Sequence, residues 1–226
     1  MERNNESFAL ISDKDIQELN DVRTKLEQTL MTKLRNAGIY FHSMSRVKTL
    51  TSLQRKLDTG KYGTGKDDKK IQDLIGIRIN LFYTEDIRIS EALLEDTFMV
   101  DNWSKTAWEE NRFEAQKCNG VFKIPSKYLI NISDQLWEQP FDRTFEVQLR
   151  TVLFEGWHEI EHEMRYKYKM DEGFDDNRSS LWDGQEKDAR MMNSIIANLE
   201  LCDWIIWPET SISRKTGKMR SEANTG

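Results

Sequence analysis

The chain has 226 residues, 38% of them hydrophobic and 32% charged, enough to bury a core beneath a well-solvated surface. Ten Phe and seven Trp exclude a disordered chain, and a formal charge of −6 gives no bulk attraction to nucleic acid or an anionic membrane, so a polyanion must be met by a local basic cluster. Cys118 and Cys202 make no disulfide framework, the N-terminal MERNNESFAL lacks a signal-peptide layout, and no apolar run nears the ~18 residues of a membrane span; together these point to the cytoplasm.

After Ser12 and Asp13, the spacing of Ile16, Leu19, Val22, Leu26, Leu30, Met31 and Leu34 predicts an amphipathic helix ending near Gly38. Residues 39–47 alternate and read as a strand, and Leu50, Leu53 and Leu57 mark a short helix. The stretch 58–70, with Gly60, Gly63 and Gly65 among Lys and Asp, reads as a mobile loop. LIGIRINLFY, residues 74–83, carries the strongest strand pattern, with Ile75, Ile77 and Ile79 on one face and Gly76, Arg78 and Asn80 on the other. A helix is predicted from Thr84 to about Asp96, and no element is assigned between 100 and 119. Strands follow around 121–132 and 143–150, with Gln139-Pro140 in the turn between them. From Thr151 the sequence TVLFEGWHEIEHEMRYKYK is helical in pattern, a second helix spans about 180–206, and the basic tail from Ser211 is expected to fray. The whole reads as an α+β domain with a mixed sheet, closed by C-terminal helices.

Three groups of residues carry chemistry. Arg46, Lys48, Arg55 and Lys56 are four cations within eleven residues, at a strand end and on the next helix, where they can converge on a polyphosphate or simply form a solvated basic face. Asp73 stands at the entry of the Ile-rich strand, a usual place for a Mg²⁺ ligand, and Arg78 lies on that strand's polar face. Their strand parities are opposite, so they share a site only if Asp73 precedes the regular pleat or sits at a bulge. In FEVQLR, the alternation that buries Phe145, Val147 and Leu149 lines up Glu146, Gln148 and Arg150 on the other face.

In order along the chain, R-V-K-x-x-x-S-L-x-x-K-L (Arg46 to Leu57), D-L-I-G-I-R-I (Asp73 to Ile79), E-V-Q-L-R-T (Glu146 to Thr151) and W-x-x-x-E-H-x-x-x-Y-K (Trp157 to Lys167) resemble the synthetase domain of the RelA/SpoT family, most of all the small single-domain alarmone synthetases. The resemblance covers roughly residues 40 to 170. It implies a nucleotidyltransferase-like mixed β-sheet flanked by helices, with an N-terminal helix over 1–38, a synthetase core over 39–170, a C-terminal helix over 171–210 and a flexible tail over 211–226. It implies transfer of the β,γ-pyrophosphate of ATP to the 3′-hydroxyl of GDP or GTP, with Mg²⁺ as cofactor. Carried over, Arg46, Lys48, Arg55, Lys56 and Arg78 bind ATP, Asp73 and Glu146 hold the metal or take the hydroxyl proton, and Gln148, Arg150, His162 and Lys167 serve the acceptor side. Small alarmone synthetases often form homotetramers, so the resemblance also implies a homo-oligomer.

One family motif is missing. The acceptor loop G-Y-x-S-L-H, whose tyrosine stacks on guanine, corresponds here to Asn119-Gly120-Val121-Phe122-Lys123-Ile124-Pro125. Val121 takes the tyrosine position, so Phe122 is expected to stack instead if the loop shifts, with Lys123 beside it. Other acceptors, an adenine nucleotide or the 3′ end of tRNA, and a catalytically inactive nucleotide-binding module are therefore the alternatives. The net negative charge argues against tRNA. His158-Glu159-Ile160-Glu161-His162 also fits the H-E-x-x-H zinc-protease pattern, which needs a third ligand; the family motif already accounts for Glu161 and His162.

Overall fold

A computed structural model describes residues 11–63, 68–106, 118–138, 140–156, 194–195, 197–199 and 201–202. The chain divides into two compact units, one of residues 1–81, 86–105 and 117–149, the other of residues 82–85, 106–116 and 150–226.

The first unit opens with helix α1, Asp13–Asn36. Ser12 and Asp15 form a reciprocal capping box at its start: the Ser12 hydroxyl accepts from the Asp15 N–H at 3.1 Å, and the Asp15 carboxylate accepts from the Ser12 N–H at 3.2 Å. At its end Gly38 adopts φ +73°, donating to the Arg35 carbonyl, while Ile39 donates to that of Leu34. This Schellman turn satisfies the last carbonyls and needs a left-handed residue, which glycine supplies without a steric penalty. Between the caps, Leu19, Val22, Leu26, Leu30 and Leu34 are buried in one stripe. Each full burial of such a side chain is worth about 1.5–3 kcal/mol, so the stripe fixes which way the helix faces.

Five strands form one sheet in the order β1-β2-β5-β4-β3: β1 (Phe41–Val47), β2 (Ile75–Leu81), β3 (Val100–Lys105), β4 (Cys118–Lys123) and β5 (Thr144–Thr151). β1–β2, β3–β4 and β4–β5 pair antiparallel, while the bridge from Ile71 to Phe141, just ahead of the neighbours β2 and β5, is parallel. Ile75, Ile77, Ile79 and Leu81 of β2 and Phe145, Val147 and Leu149 of β5 are buried in the core with the α1 stripe. Helix α2 (Leu50–Asp58) is capped by Thr49 and buries Leu53, and α3 (Asp86–Thr97) buries Leu94.

Four stretches differ from the sequence reading. Residues 100–105 and 118–120, left unassigned, are the edge strand β3 and the start of β4. The strand expected over 121–132 stops at Lys123, because Pro125 has no N–H to continue a ladder; a 3₁₀ turn, Ser126–Tyr128, follows. A short helix α4, Asp134–Trp137, starts on the Ser133 side chain and buries Leu136 and Trp137.

In the second unit, the Thr151 hydroxyl accepts from the Phe154 N–H at 3.3 Å where residues 152–156 turn helical, and the described residues of 194–202 are helical. Among the described residues no helix is long and apolar enough to cross a membrane.

Candidate active site

Asp73 sits two residues ahead of β2, so the pleat does not dictate its direction and the parity conflict with Arg78 disappears. Its backbone neighbourhood is pinned on two sides. The Lys48 N–H donates to the Leu74 carbonyl at 2.8 Å, extending the β1–β2 ladder by one step. On the other side Ile71 donates to Pro140 at 2.7 Å and accepts from Asp142 at 2.9 Å. The first of these bonds is why Lys48 meets a residue 25 positions away: the register that sets Val47 against Ile75 brings the residue after β1 opposite Leu74, the neighbour of Asp73.

Lys48 Nζ donates to Asp73 Oδ2, and Lys56 Nζ, reaching from α2, bonds both carboxylate oxygens at 2.8 Å. Two ammonium groups against one carboxylate leave the trio with one net positive charge. The two lysines differ in exposure, 11% for the Lys48 side chain and 32% for that of Lys56, and they shift in opposite directions. Burial pulls Lys48 below the ordinary lysine value despite its bond to Asp73; for Lys56 burial also works downward, but the bond to Asp73, the charge of that carboxylate and the nearby Tyr62 together raise it. For Asp73, burial works upward but the two lysine bonds prevail and hold the carboxyl below its ordinary range.

That depression has a stability consequence. The unfolded chain takes up a proton at Asp73 before the folded one does, so folding stability falls as pH drops through the ordinary carboxylate range towards the depressed folded value. Melting temperatures recorded from about pH 6 to pH 3 are expected to fall less steeply for Asp73→Asn than for wild type.

A second polar group lies on the face of the sheet opposite the core. Arg78 Nε on β2 donates to Gln148 Oε1 at 3.1 Å, Gln148 Nε2 donates to Glu146 Oε2 at 2.8 Å, and Asn119 Nδ2 on β4 donates to Glu146 Oε1 at 3.1 Å. The register that sets Asn119 against Gln148 and Val121 against Glu146 puts these side chains on one face. Each Glu146 oxygen thus receives one amide hydrogen bond, which fixes the carboxylate and leaves lone-pair capacity for another partner. One hydrogen bond joins the segments that carry the two groups. The Thr144 hydroxyl, two residues before Glu146, donates to the carbonyl of Gln72, the neighbour of Asp73, at 2.9 Å.

Arg46 and Arg55 are exposed, with no hydrogen bond or ion pair among the described residues; Arg46 stands opposite Gly76 in the β1–β2 register. Arg150, in the second unit, pairs with Glu155 at 3.1 Å. Lys123 pairs with Asp101 at 2.8 Å, and Asp101 lies at an irregularity in the β3–β4 register and also accepts from Gln72. His162, Lys167 and the whole H-E-x-x-H stretch lie outside the described residues. Phe122 requires a correction. Its ring is fully buried against Phe98, Trp103 and Phe145, on the core face with Phe145, and cannot stack on a ligand. No loop shift reverses the alternation; Val121 and Lys123 take the polar face instead. Asn119, the residue that links β4 to Glu146, was not among the site residues read from the sequence. Its sole signal there was strand parity with Val121, two residues on.

Among the described residues no cluster of three or more His, Cys, Asp or Glu forms a metal cage. Asp73 and Glu146 are nevertheless hard oxygen donors of the kind Mg²⁺ accepts one or two at a time, with substrate phosphates completing its shell, so the residues fit that ion.

The chain matches the family model described as the region found in RelA / SpoT proteins over residues 45–171, more than half its length. No curated protein sequence matches it. Solved structures share its fold. The small alarmone synthetase 2 from Bacillus subtilis is 16% identical with a TM-score of 0.58, over 90% of this chain and 99% of that one. Small alarmone synthetase 1 from the same organism is similar both bound to AMPCPP (17% identity, TM-score 0.61, 87% and 95% covered) and bound to its product pppGpp (18%, 0.57, 93% and 94%). With that match over residues 45–171, the chain belongs to the RelA/SpoT family.

Proposed function

We propose that this protein is a Mg²⁺-dependent pyrophosphokinase that transfers the β,γ-pyrophosphate of ATP to the 3′-hydroxyl of GDP or GTP. The observation that supports this reading is the Asp73 carboxylate held by Lys48 and Lys56 at the entry of β2, with an amide-held carboxylate, Glu146, on the neighbouring strand β5. A triphosphate needs concentrated positive charge, and Lys48 and Lys56 provide it, with Arg46 and Arg55 nearby in sequence. When ATP enters, its phosphate oxygens become partners for the two ammonium groups, freeing Asp73 to act as a metal ligand. Bound Mg²⁺ would neutralise charge on the transferring group, held there by Asp73 and Glu146. The acceptor's 3′-oxygen forms a bond to the β-phosphorus as the bond from that phosphorus to the α–β bridging oxygen breaks, releasing AMP. Glu146, fixed by Asn119 and Gln148, takes the proton from the hydroxyl. Most of the acceleration comes from in-line positioning and charge neutralisation, for which this equipment is suited. AMPCPP and pppGpp are bound by solved relatives of the same fold, which supports nucleotide substrates here.

The acceptor side favours a second reading of the same chemistry. Val121 holds the position of the family's guanine-stacking tyrosine and Phe122 is in the core, so neither supplies a ring for the acceptor base. An adenine nucleotide or a tRNA 3′ end is the alternative acceptor. The test offers γ-labelled ATP and Mg²⁺ with GDP, GTP, ADP, ATP or deacylated tRNA in turn. Labelled guanosine product with equimolar AMP is expected. Label on another acceptor would establish the second reading, and ATP binding with no labelled product from any acceptor would overturn the enzymatic assignment.

A further inference from the structure

Gly76 is the second residue of β2, between the buried Ile75 and Ile77. Glycine inside a strand weakens it, so its presence calls for a reason. Three structural reasons fail. Among the described glycines only Gly38 and Gly60 have positive φ, so no left-handed conformation demands it. The β1–β2 register runs unbroken from Phe41 opposite Leu81 to Val47 opposite Ile75, so there is no bulge. Packing leaves the place open: a Cβ added at Gly76 meets no described atom within 4 Å. At Gly120 the same addition would strike the Phe122 ring at 2.6 Å and the Trp103 ring at 2.8 Å. Among the described residues nothing fills the place, which leaves it open to close approach by another molecule.

The surroundings say what kind. Gly76 is half-exposed on the face that carries Arg78. Across β1 its direct partner is Arg46, exposed and without an ion pair among the described residues. On the β5 side, β2 and β5 are neighbours, and extending the parallel Ile71–Phe141 bridge by its seventy-residue offset, which the Arg78–Gln148 side-chain hydrogen bond also fits, sets Gly76 beside Glu146. A bare stretch of backbone therefore lies between an uncommitted guanidinium and a fixed carboxylate, within the same polar face.

We propose that Gly76 is a steric gate: its missing side chain opens the slot between Arg46 and Glu146 in which the ribose–phosphate portion of a nucleoside triphosphate lies against the sheet. This rests on the nucleotide reading above and adds a residue that sets access without touching charge. A side chain branched at Cβ would fill the slot from the floor. Because the empty space accepts a Cβ and β-branched residues favour strands, the same substitution should leave the fold intact or firmer. Structural and ligand roles therefore predict opposite outcomes.

The experiment compares wild type, Gly76→Ala and Gly76→Val by melting temperature and by calorimetric titration of AMPCPP with Mg²⁺, whose α,β-methylene bridge blocks transfer. Gly76→Val is expected to melt no lower than wild type and to bind at least about tenfold more weakly, with Gly76→Ala between them. Wild-type affinity in Gly76→Val would overturn the gate, as would a clear fall in melting temperature matching the loss of binding. Wild-type protein that binds no nucleotide would instead overturn the functional reading, and the gate with it.

Discussion

Asp73→Ala is expected to lower pyrophosphate transfer by about 10³-fold or more while leaving a folded protein. Under the proposed mechanism the substitution removes a metal ligand from the reacting centre, and loss of a single preorganised electrostatic partner at such a centre typically costs about 10²–10³-fold. The effect extends further because Asp73 also orders the two lysines. Without it, Lys48, whose ammonium is already destabilised by burial, loses its counter-charge and gives up its proton more readily. The variant therefore loses part of the phosphate clamp as well as the metal ligand. Glu146→Gln keeps the size of the side chain and one of its two acceptor oxygens, and removes the base together with the negative charge offered to the metal. Its transfer rate should fall by about 10²–10⁴-fold, while ATP binding stays near wild type. Rapid-quench assays of AMP release, alongside calorimetric ATP titrations, check both variants. Transfer by Asp73→Ala within tenfold of wild type would remove the carboxylate from the mechanism.

How much of this was legible beforehand depends on how each element earns its place. α1, β2 and β5 bury one regular stripe each, so the three-to-four spacing of Leu19, Val22, Leu26, Leu30 and Leu34 and the alternation in IGIRINL and TFEVQLRT reveal them. β3 is an edge strand whose residues are half-buried at Val100 and Trp103 and exposed elsewhere. Its sequence, VDNWSK, shows no alternation because little of it faces the core. The start of β4 is Cys118-Asn119-Gly120, poor in β-branched residues, and tertiary packing rather than propensity makes it a strand. In the site, Lys48, Lys56 and Asp73 could be proposed as partners from motif order. The bond from Asn119 to Glu146 could not, since it depends on the β4–β5 register, which no local pattern encodes. Asp101 is hidden for a similar reason: a register irregularity in β3 accompanies its contacts to Lys123 and Gln72.

Phe122→Ala is expected to destabilise the protein by about 3–5 kcal/mol, the usual cost of removing a fully buried aromatic ring, without changing acceptor affinity in the folded fraction. Phe122 has no exposed surface and lies among Phe98, Trp103 and Phe145 at ring-centre distances of 6.3, 5.3 and 5.7 Å. Truncation removes these edge and tilted contacts together with the apolar burial. In a chain of this length the melting temperature should drop by about 10 °C, read by circular dichroism or calorimetry. Gly120→Ala provides the complementary case, since its new methyl would press on the same ring and on Trp103 and cost about 1–3 kcal/mol. The pair bears directly on the altered acceptor loop. The glycine that matches the family pattern is required here by aromatic packing behind the sheet, and the aromatic residue two positions on belongs to that packing. An acceptor Michaelis constant raised tenfold in Phe122→Leu, a variant that retains most of the buried apolar volume, would show that the ring reaches the substrate after all. An unchanged constant with a lowered melting temperature leaves base recognition to the polar face carrying Asn119, Val121 and Glu146.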